Sequence, residues 1–221
     1  MSSRWSAEKS AVLEAAQEMA ALGLVTGASG NVSMRLSSDD ELLAVTPSSV
    51  PYGDLTEDSI VVTDFDVEPV EGELPPSSET LLHVAVYRAR PDVGAVIHTH
   101  SVYTSVAAVA GLEIPPIIDE MVIAVGGPVK VSAYAFPGSE ELADSVCEAL
   151  GPRSAALIKN HGAVGVGRDL REALGVCTLV ERVAQIFLLA RTLGRVDELP
   201  PDVVKAEQAI FEMRRQRDTG L

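Results

Sequence analysis

Apolar residues along this chain fall into short blocks whose spacing switches between helical and extended periods. Over residues 6–22, Val12, Ala16, Met19, Ala20 and Leu22 recur at helical spacing and Gly23 follows, which predicts a helix with a glycine stop. A short strand through Leu36 and another over 42–46 flank Ser37-Ser-Asp-Asp40, which has the composition of a hairpin turn. The β-branched run over 59–63 predicts a strand, and 64–74 reads as an acidic connection closed by Pro75-Pro76. Proline and serine then open a helix over 76–90, a strand covers 95–100, and small residues predict a helix over 101–110 ended by Gly111. Further on, the pattern predicts a strand over 128–133, an amphipathic helix from Ser139 to Leu150, a strand over 155–159, a long helix over 170–193 and a last helix over 201–215. The stretch 114–120 leads into an apolar run, 121–125, and the turn Gly126-Gly127. Strands alternating with helices indicate a single α/β domain over 1–221, with a central mixed or antiparallel sheet flanked by helices.

One strand carries chemistry. In Ala95-Val-Ile-His98-Thr-His100, alternation puts both histidines on one side and Ile97 and Thr99 on the other. The chain has only four histidines, and His161, in Lys159-Asn160-His161-Gly162, follows the apolar run 155–158. Three imidazoles at strand ends suit a divalent metal with a coordination position left for substrate. The competing reading is that His98 and His100 are polar residues closing a strand.

Composition narrows the function classes. At 221 residues with 47% hydrophobic content, the chain can bury one substantial core. Its 17 Lys+Arg against 32 Asp+Glu leave a net charge of -15, which opposes binding to nucleic acid or to an anionic membrane surface. The basic cluster at Arg214, Arg215 and Arg217 is too small to reverse that. Cys147 and Cys177 fall in predicted helices and read as buried thiols, consistent with a reducing cytoplasm. No apolar run is expected to span a membrane, and the first five residues lack the apolar segment of a secretory signal, so export is not expected.

Three loops add candidates. Thr26-Gly-Ala-Ser-Gly30-Asn31-Val-Ser33 is either a connecting turn or an anion site made of exposed backbone N–H groups. A second hydroxyl-rich loop holds Ser48 and Ser49. In Pro76-Ser77-Ser78-Glu79, Ser78 can cap the helix with Glu79 serving its dipole, or the helix start can hold a phosphate with Glu79 beside it as a base. His83 shares a helical face with Glu79 but reads as structural, in a row with Leu82, Val86 and Tyr87.

Taken together, Gly30-Asn31-Val-Ser33, Thr46-Pro47-Ser48, Pro76-Ser-Ser-Glu79, His98-Thr-His100 and Asn160-His161-Gly162 resemble, in order and spacing, the motifs of the class II aldolase/adducin family. The resemblance runs from the first helix to about Leu193. It implies one Zn2+ per chain held by His98, His100 and His161, with Glu79 as a resting fourth ligand that swings away to act as base. It also implies phosphate binding by Asn31, Ser48, Ser49, Ser77 and Ser78, a small ketose 1-phosphate as substrate, enediolate chemistry, and a homotetramer with sites between subunits.

Two positions depart from the family's aldolases. Ser49 stands where they carry a loop glycine, and Glu120 stands where they carry a tyrosine that protonates the aldehyde oxygen. Glu120 is therefore either the replacement acid or an arginine partner at a subunit contact. A sugar-phosphate dehydratase or decarboxylase of the same family, and a non-catalytic adducin-like module, remain alternatives to the aldolase. A Schiff-base mechanism would have to use Lys159.

Overall fold

A computed structural model of the chain describes residues 4–36 and 41–218, so the turn expected at 37–40 lies outside the described residues. The strands are β1 (Asn31–Arg35), β2 (Leu42–Val45), β3 (Val61–Asp64), β4 (Pro69–Glu71), β5 (Ala95–Thr99), β6 (Ala155–Ile158) and β7 (Gly162–Gly167). They form one seven-stranded sheet in the order β4-β3-β2-β1-β5-β7-β6. Every ladder between them is antiparallel. The helices are α1 (Ser6–Ala21), α2 (Thr80–Ala89), α3 (Val102–Ala110), α4 (Asp119–Val125), α5 (Glu140–Leu150), α6 (Leu170–Thr192) and α7 (Pro201–Asp218).

Strand alternation decides which helices cover which face. Val32, Ala44, Val62 and Ile97 join Val12, Ala16 and Met19 of α1 and Ala173 and Leu174 of α6 in one cluster. The intervening Leu43, Val45, Val61 and Val96 pack on the opposite face against Leu82 and Val86 of α2 and Leu142 and Val146 of α5. A third cluster, with Met121, Leu157, Val180 and Phe187, joins α3, α4 and α6 at the β6 edge. Because Ile97 faces α1 and α6, His98 must face α2.

Several boundaries differ from the sequence reading for identifiable reasons. α2 begins at Thr80, with Glu79 at the N-cap position and no side-chain cap, so Ser78 is not the cap expected of it. The predicted strand at 128–133 makes only isolated bridges, Val129 to Ile114 and Val131 to Leu157; Pro128 at its head has no N–H to give a ladder. The connection 64–74 contains the short edge strand β4, paired with β3 across a register shift at Val62/Thr63. The run 121–125 belongs to α4, and the glycine-rich segment after His161 is β7. Contrary to expectation, α6 is long and apolar enough to cross a membrane by length and composition. In the fold it is a core helix with Ala173, Leu174, Val180, Val183, Ala184 and Phe187 buried.

α6 can lie close on β7 because Gly165 has no side chain. A Cβ there would sit 2.5 Å from Cys177 Sγ and 3.2 Å from the Ala173 carbonyl oxygen. Gly165→Ala should therefore cost about 1–3 kcal/mol through overpacking. Adding Cys177→Ala should return part of that loss but not all, since the Ala173 carbonyl stays in the way; urea unfolding of Gly165→Ala, Cys177→Ala and the double variant checks both statements.

Candidate metal centre

The register of the three central strands assembles the site. Asn31 at the start of β1 pairs with His98 at the end of β5, and β5 pairs on its other side with β7, whose first residue follows His161. His161 is delivered by the tight β6–β7 turn, in which Asn160 adopts a left-handed φ of 57° and the His161 N–H donates to the Ile158 carbonyl. Gly162 lets that turn lie against the histidine strand: a Cβ there would fall 2.1 Å from the Thr99 carbonyl oxygen and 3.3 Å from His98 Cε1. From the facing helix, Glu79 projects into the same place. Its carboxylate Oε2 accepts from Asn31 Nδ2 at 3.3 Å.

The four functional groups converge. Glu79, His98, His100 and His161 each place one ligand atom within 4.8 Å of all the others. His98 Nε2 lies 3.3 Å from His161 Nε2 and 2.8 Å from His100 Nε2. Glu79 Oε2 is 3.2 Å from His98 Nε2, and Oε1 is 3.5 Å from His161 Nε2. Four-coordinate zinc, with bonds of about 2.0–2.2 Å, separates its ligand atoms by roughly 3.3–3.6 Å along tetrahedral edges. Three of these separations match that edge to about 0.1 Å, and the His98–His100 separation is tighter. His98 Nδ1 donates to the Ala163 carbonyl at 2.9 Å, which leaves Nε2 as a bare lone pair aimed at the centre. Two buried acceptors at the site, Glu79 Oε1 and Asn31 Oδ1, have no hydrogen-bond partner. The donor set therefore fits a divalent cation.

Electrostatics point the same way. Burial alone would push the Glu79 carboxyl up, but the hydrogen bond with His98 and the positive charge of His98, His161 and His100 outweigh it and hold it at about 2. The rings are driven the other way: burial, then the charge of His98, draws His100 down to about 4 and lowers His161. The lowering of His100 and His161 withholds part of the positive charge that holds Glu79 down. A cation among them meets both demands, since it balances the carboxylate and takes the imidazole lone pairs as ligands.

His83 stands apart from this group. It is fully buried, its Nδ1 bonds Ser33 Oγ at 2.7 Å, and Ser33 Oγ bonds Tyr87 OH at 2.7 Å. Burial, then the charge of His98, lowers its pKa to about 3, so the ring is neutral and structural, as its place in an apolar row suggested.

The expected phosphate residues gather at the same end of the sheet. Ser48 N–H donates to the Pro75 carbonyl and Ser77 N–H to the Thr46 carbonyl, which pins the 46–49 loop to the segment before α2. Val32 N–H donates to Thr46 Oγ1 at 3.2 Å, tying in the segment that carries Asn31. Ser49 adopts a φ of 62°, so it keeps the left-handed conformation for which a glycine is the ordinary choice. Ser77 is buried and its Oγ accepts from the Glu79 N–H at 3.3 Å, whereas Ser78 is exposed. Glu120 is not among the convergent groups. It lies on α4, half exposed, and accepts from Arg182 Nη1 of α6 at 2.7 Å. Sequence reading missed the Ala163 carbonyl that orients His98, because a backbone acceptor leaves no residue-type signal.

Comparison with known proteins agrees with this geometry. The family model described as Class II Aldolase and Adducin N-terminal domain matches residues 10–188. An L-fuculose phosphate aldolase of Escherichia coli is 35% identical over 210 residues, covering 95% of this chain and 94% of that protein. A 5-deoxy-D-ribulose 1-phosphate aldolase of Bacillus thuringiensis is 32% identical over 206 residues, covering 93% and 95%. A solved structure of L-fuculose 1-phosphate aldolase superposes with a TM-score of 0.89 at 32% identity, covering 96% of this chain and 98% of that one. The chain belongs to the class II aldolase and adducin N-terminal domain family, and its relatives and fold make it a class II aldolase, a metal-dependent lyase.

Proposed function

We propose that this enzyme is a zinc-dependent aldolase that cleaves a small ketose 1-phosphate into dihydroxyacetone phosphate and an aldehyde. The observation that carries this reading is the convergence of three imidazole Nε2 atoms and one carboxylate at separations that suit a four-coordinate ion. Its substrate class follows from the relatives, whose names specify fuculose and deoxyribulose phosphates. Zinc, when bound, supplies a Lewis acid that polarises the substrate ketone and acidifies the adjacent C–H.

The protein's own groups divide the remaining work. His98, His100 and His161 are the permanent ligands, and Glu79 closes the set at rest. As base, Glu79 takes the proton from the carbon beside the ketone in the condensation direction and returns it on cleavage. Once it leaves the imidazoles, the desolvation that they now outweigh acts in full and raises its basicity. Asn31 orients the carboxylate, and with Ser48, Ser49, Ser77 and Ser78 receives the phosphate. Glu120, engaged by Arg182 within the chain, takes the acid role on the aldehyde side only if a homotetramer brings it to a neighbouring subunit's cluster. The net charge of -15 and the packing of α6 into the core suit a metabolic enzyme of the cytoplasm.

Purified protein should carry about one divalent ion per chain, as expected for a site with three protein ligands. His98→Ala, His100→Ala and His161→Ala should each lose it while His83→Ala keeps it, by metal analysis after dialysis. Full occupancy in His161→Ala would contradict the ligand set.

Replacing Ser77 and Ser78 together by alanine should raise KM for a phosphorylated ketose by about ten- to hundredfold, the value of a lost charge-assisted hydrogen bond. KM for the unphosphorylated sugar should hardly move, and an equal rise for both sugars would make these serines merely structural.

Glu79→Gln should retain most of the metal but stop exchange of the proton beside the ketone, because an amide cannot accept it. Glu120→Gln should preserve that exchange and slow carbon–carbon cleavage. If light scattering instead shows a dissociated oligomer with unchanged cleavage per intact assembly, Glu120 is an interface residue.

A further inference from the structure

The structure assigns to Glu181 a positioning role at the metal centre: its carboxylate caps α3 from the neighbouring helix α6 and thereby fixes the chain that carries His100. This inference rests on the metal-centre reading above, in which the ligand rings are held differently. His98 is oriented at both ends, by its strand and by the Ala163 carbonyl. His100 lies one residue beyond the end of β5, and among the described residues its ring has only the cluster itself as hydrogen-bond partner. Its placement therefore depends on its backbone. On one side the His100 N–H donates to the Leu24 carbonyl at 3.1 Å. On the other, the chain turns at once through Ser101 into α3.

The start of a helix leaves N–H groups without partners, and an N-cap side chain normally answers them. Ser101 occupies that position but makes no cap bond; its Oγ is taken by Thr104 Oγ1 at 2.7 Å. Glu181 answers instead. Its two carboxylate oxygens accept from the N–H groups of Tyr103 and Thr104, each at 2.9 Å. These are charge-assisted bonds at the positive end of a helix, among the stronger ties a surface-proximal group can make. They are formed from a core helix, so they anchor the turn after His100 to the rigid body of the protein. The carboxylate is bonded to helix N–H groups and is not one of the four convergent groups. It acts on the third ligand through three residues of backbone.

Removing such support should weaken the centre without abolishing it. In a competition titration with a chromogenic chelator and Zn2+ as the probe, Glu181→Ala should bind zinc about 10- to 100-fold more weakly than wild type, the usual size of an outer-shell effect. Glu181→Gln, which keeps the shape and one acceptor, should fall between them. Glu172→Gln is the control, because Glu172 is another α6 carboxylate that accepts a backbone N–H, from Arg168 at 2.8 Å, away from the cluster. It should lower the unfolding temperature of the metal-free protein and leave zinc affinity at the wild-type value. If both Glu181 variants bind zinc as wild type does, whatever their unfolding temperatures, the positioning role is overturned. If wild type itself takes up no zinc, the metal-centre reading falls with it; if wild type binds and His100→Ala does not, a null result at Glu181 counts against Glu181 alone.

Discussion

Three imidazole lone pairs and a carboxylate facing one point repel each other unless a positive charge lies among them, and most of this fold serves to hold them in that arrangement. None of the four can relax into solvent freely: Glu79 and His98 are buried, and His100 and His161 are partly so. The antiparallel pairing of β1, β5 and β7 fixes Asn31, His98 and the turn carrying His161 to one sheet end. Apolar packing fixes the remaining direction. Val96 and Val164 are clamped against α2, which sets the height of Glu79 above the strand, while Ile97 is clamped against α1 and α6. An interior packed on both faces deforms little, so the repulsion cannot be relieved by spreading the ligands. It is relieved by cation binding.

The parts legible in the sequence were those determined locally. Strand alternation alone places His98 and His100 on one side, and the apolar run before His161 places it at a strand end. Ser139 and Asp169 are helix starts by type, and both side chains do accept from the N–H three residues on. The parts not legible depend on distant partners. The sequence pattern assigns β7 no element, since its glycines reflect α6 lying on the strand and not a strand propensity. The segment 128–133 has strand composition and lies along the outer edge of β6, but it meets that strand only at the isolated bridge Val131–Leu157. α4 is too short for a helical period to emerge from five apolar residues. Glu181 carries no local signal at all, because the N–H groups that it satisfies lie 77 and 78 residues earlier in the chain.

Ser49 illustrates why residue identity and backbone conformation must be read separately. Its departure from the family's glycine suggested an altered loop, yet its φ of 62° keeps the left-handed turn. Holding a non-glycine residue there costs roughly 1 kcal/mol or more, an expense the surrounding loop offsets by pairing with the segment before α2. Its hydroxyl stands 3.3 Å from that of Ser48.

The two halves of the reaction are unequally built within one chain. The groups proposed for the ketone side lie together: the ligand set, the carboxylate proposed as base, and the loops proposed for the phosphate. On the aldehyde side, the residue proposed as acid, Glu120, is a half-exposed glutamate whose carboxylate is already bonded to Arg182. A glutamate so placed can serve as an acid only where that bond is exchanged for a drier environment that favours the protonated form. Assembly of subunits is the natural source of such an environment, since it buries surface that the isolated chain leaves open. On the proposed reading, the ketone half is fixed by the fold of one chain, whereas the choice of aldehyde depends on surfaces that one chain does not enclose.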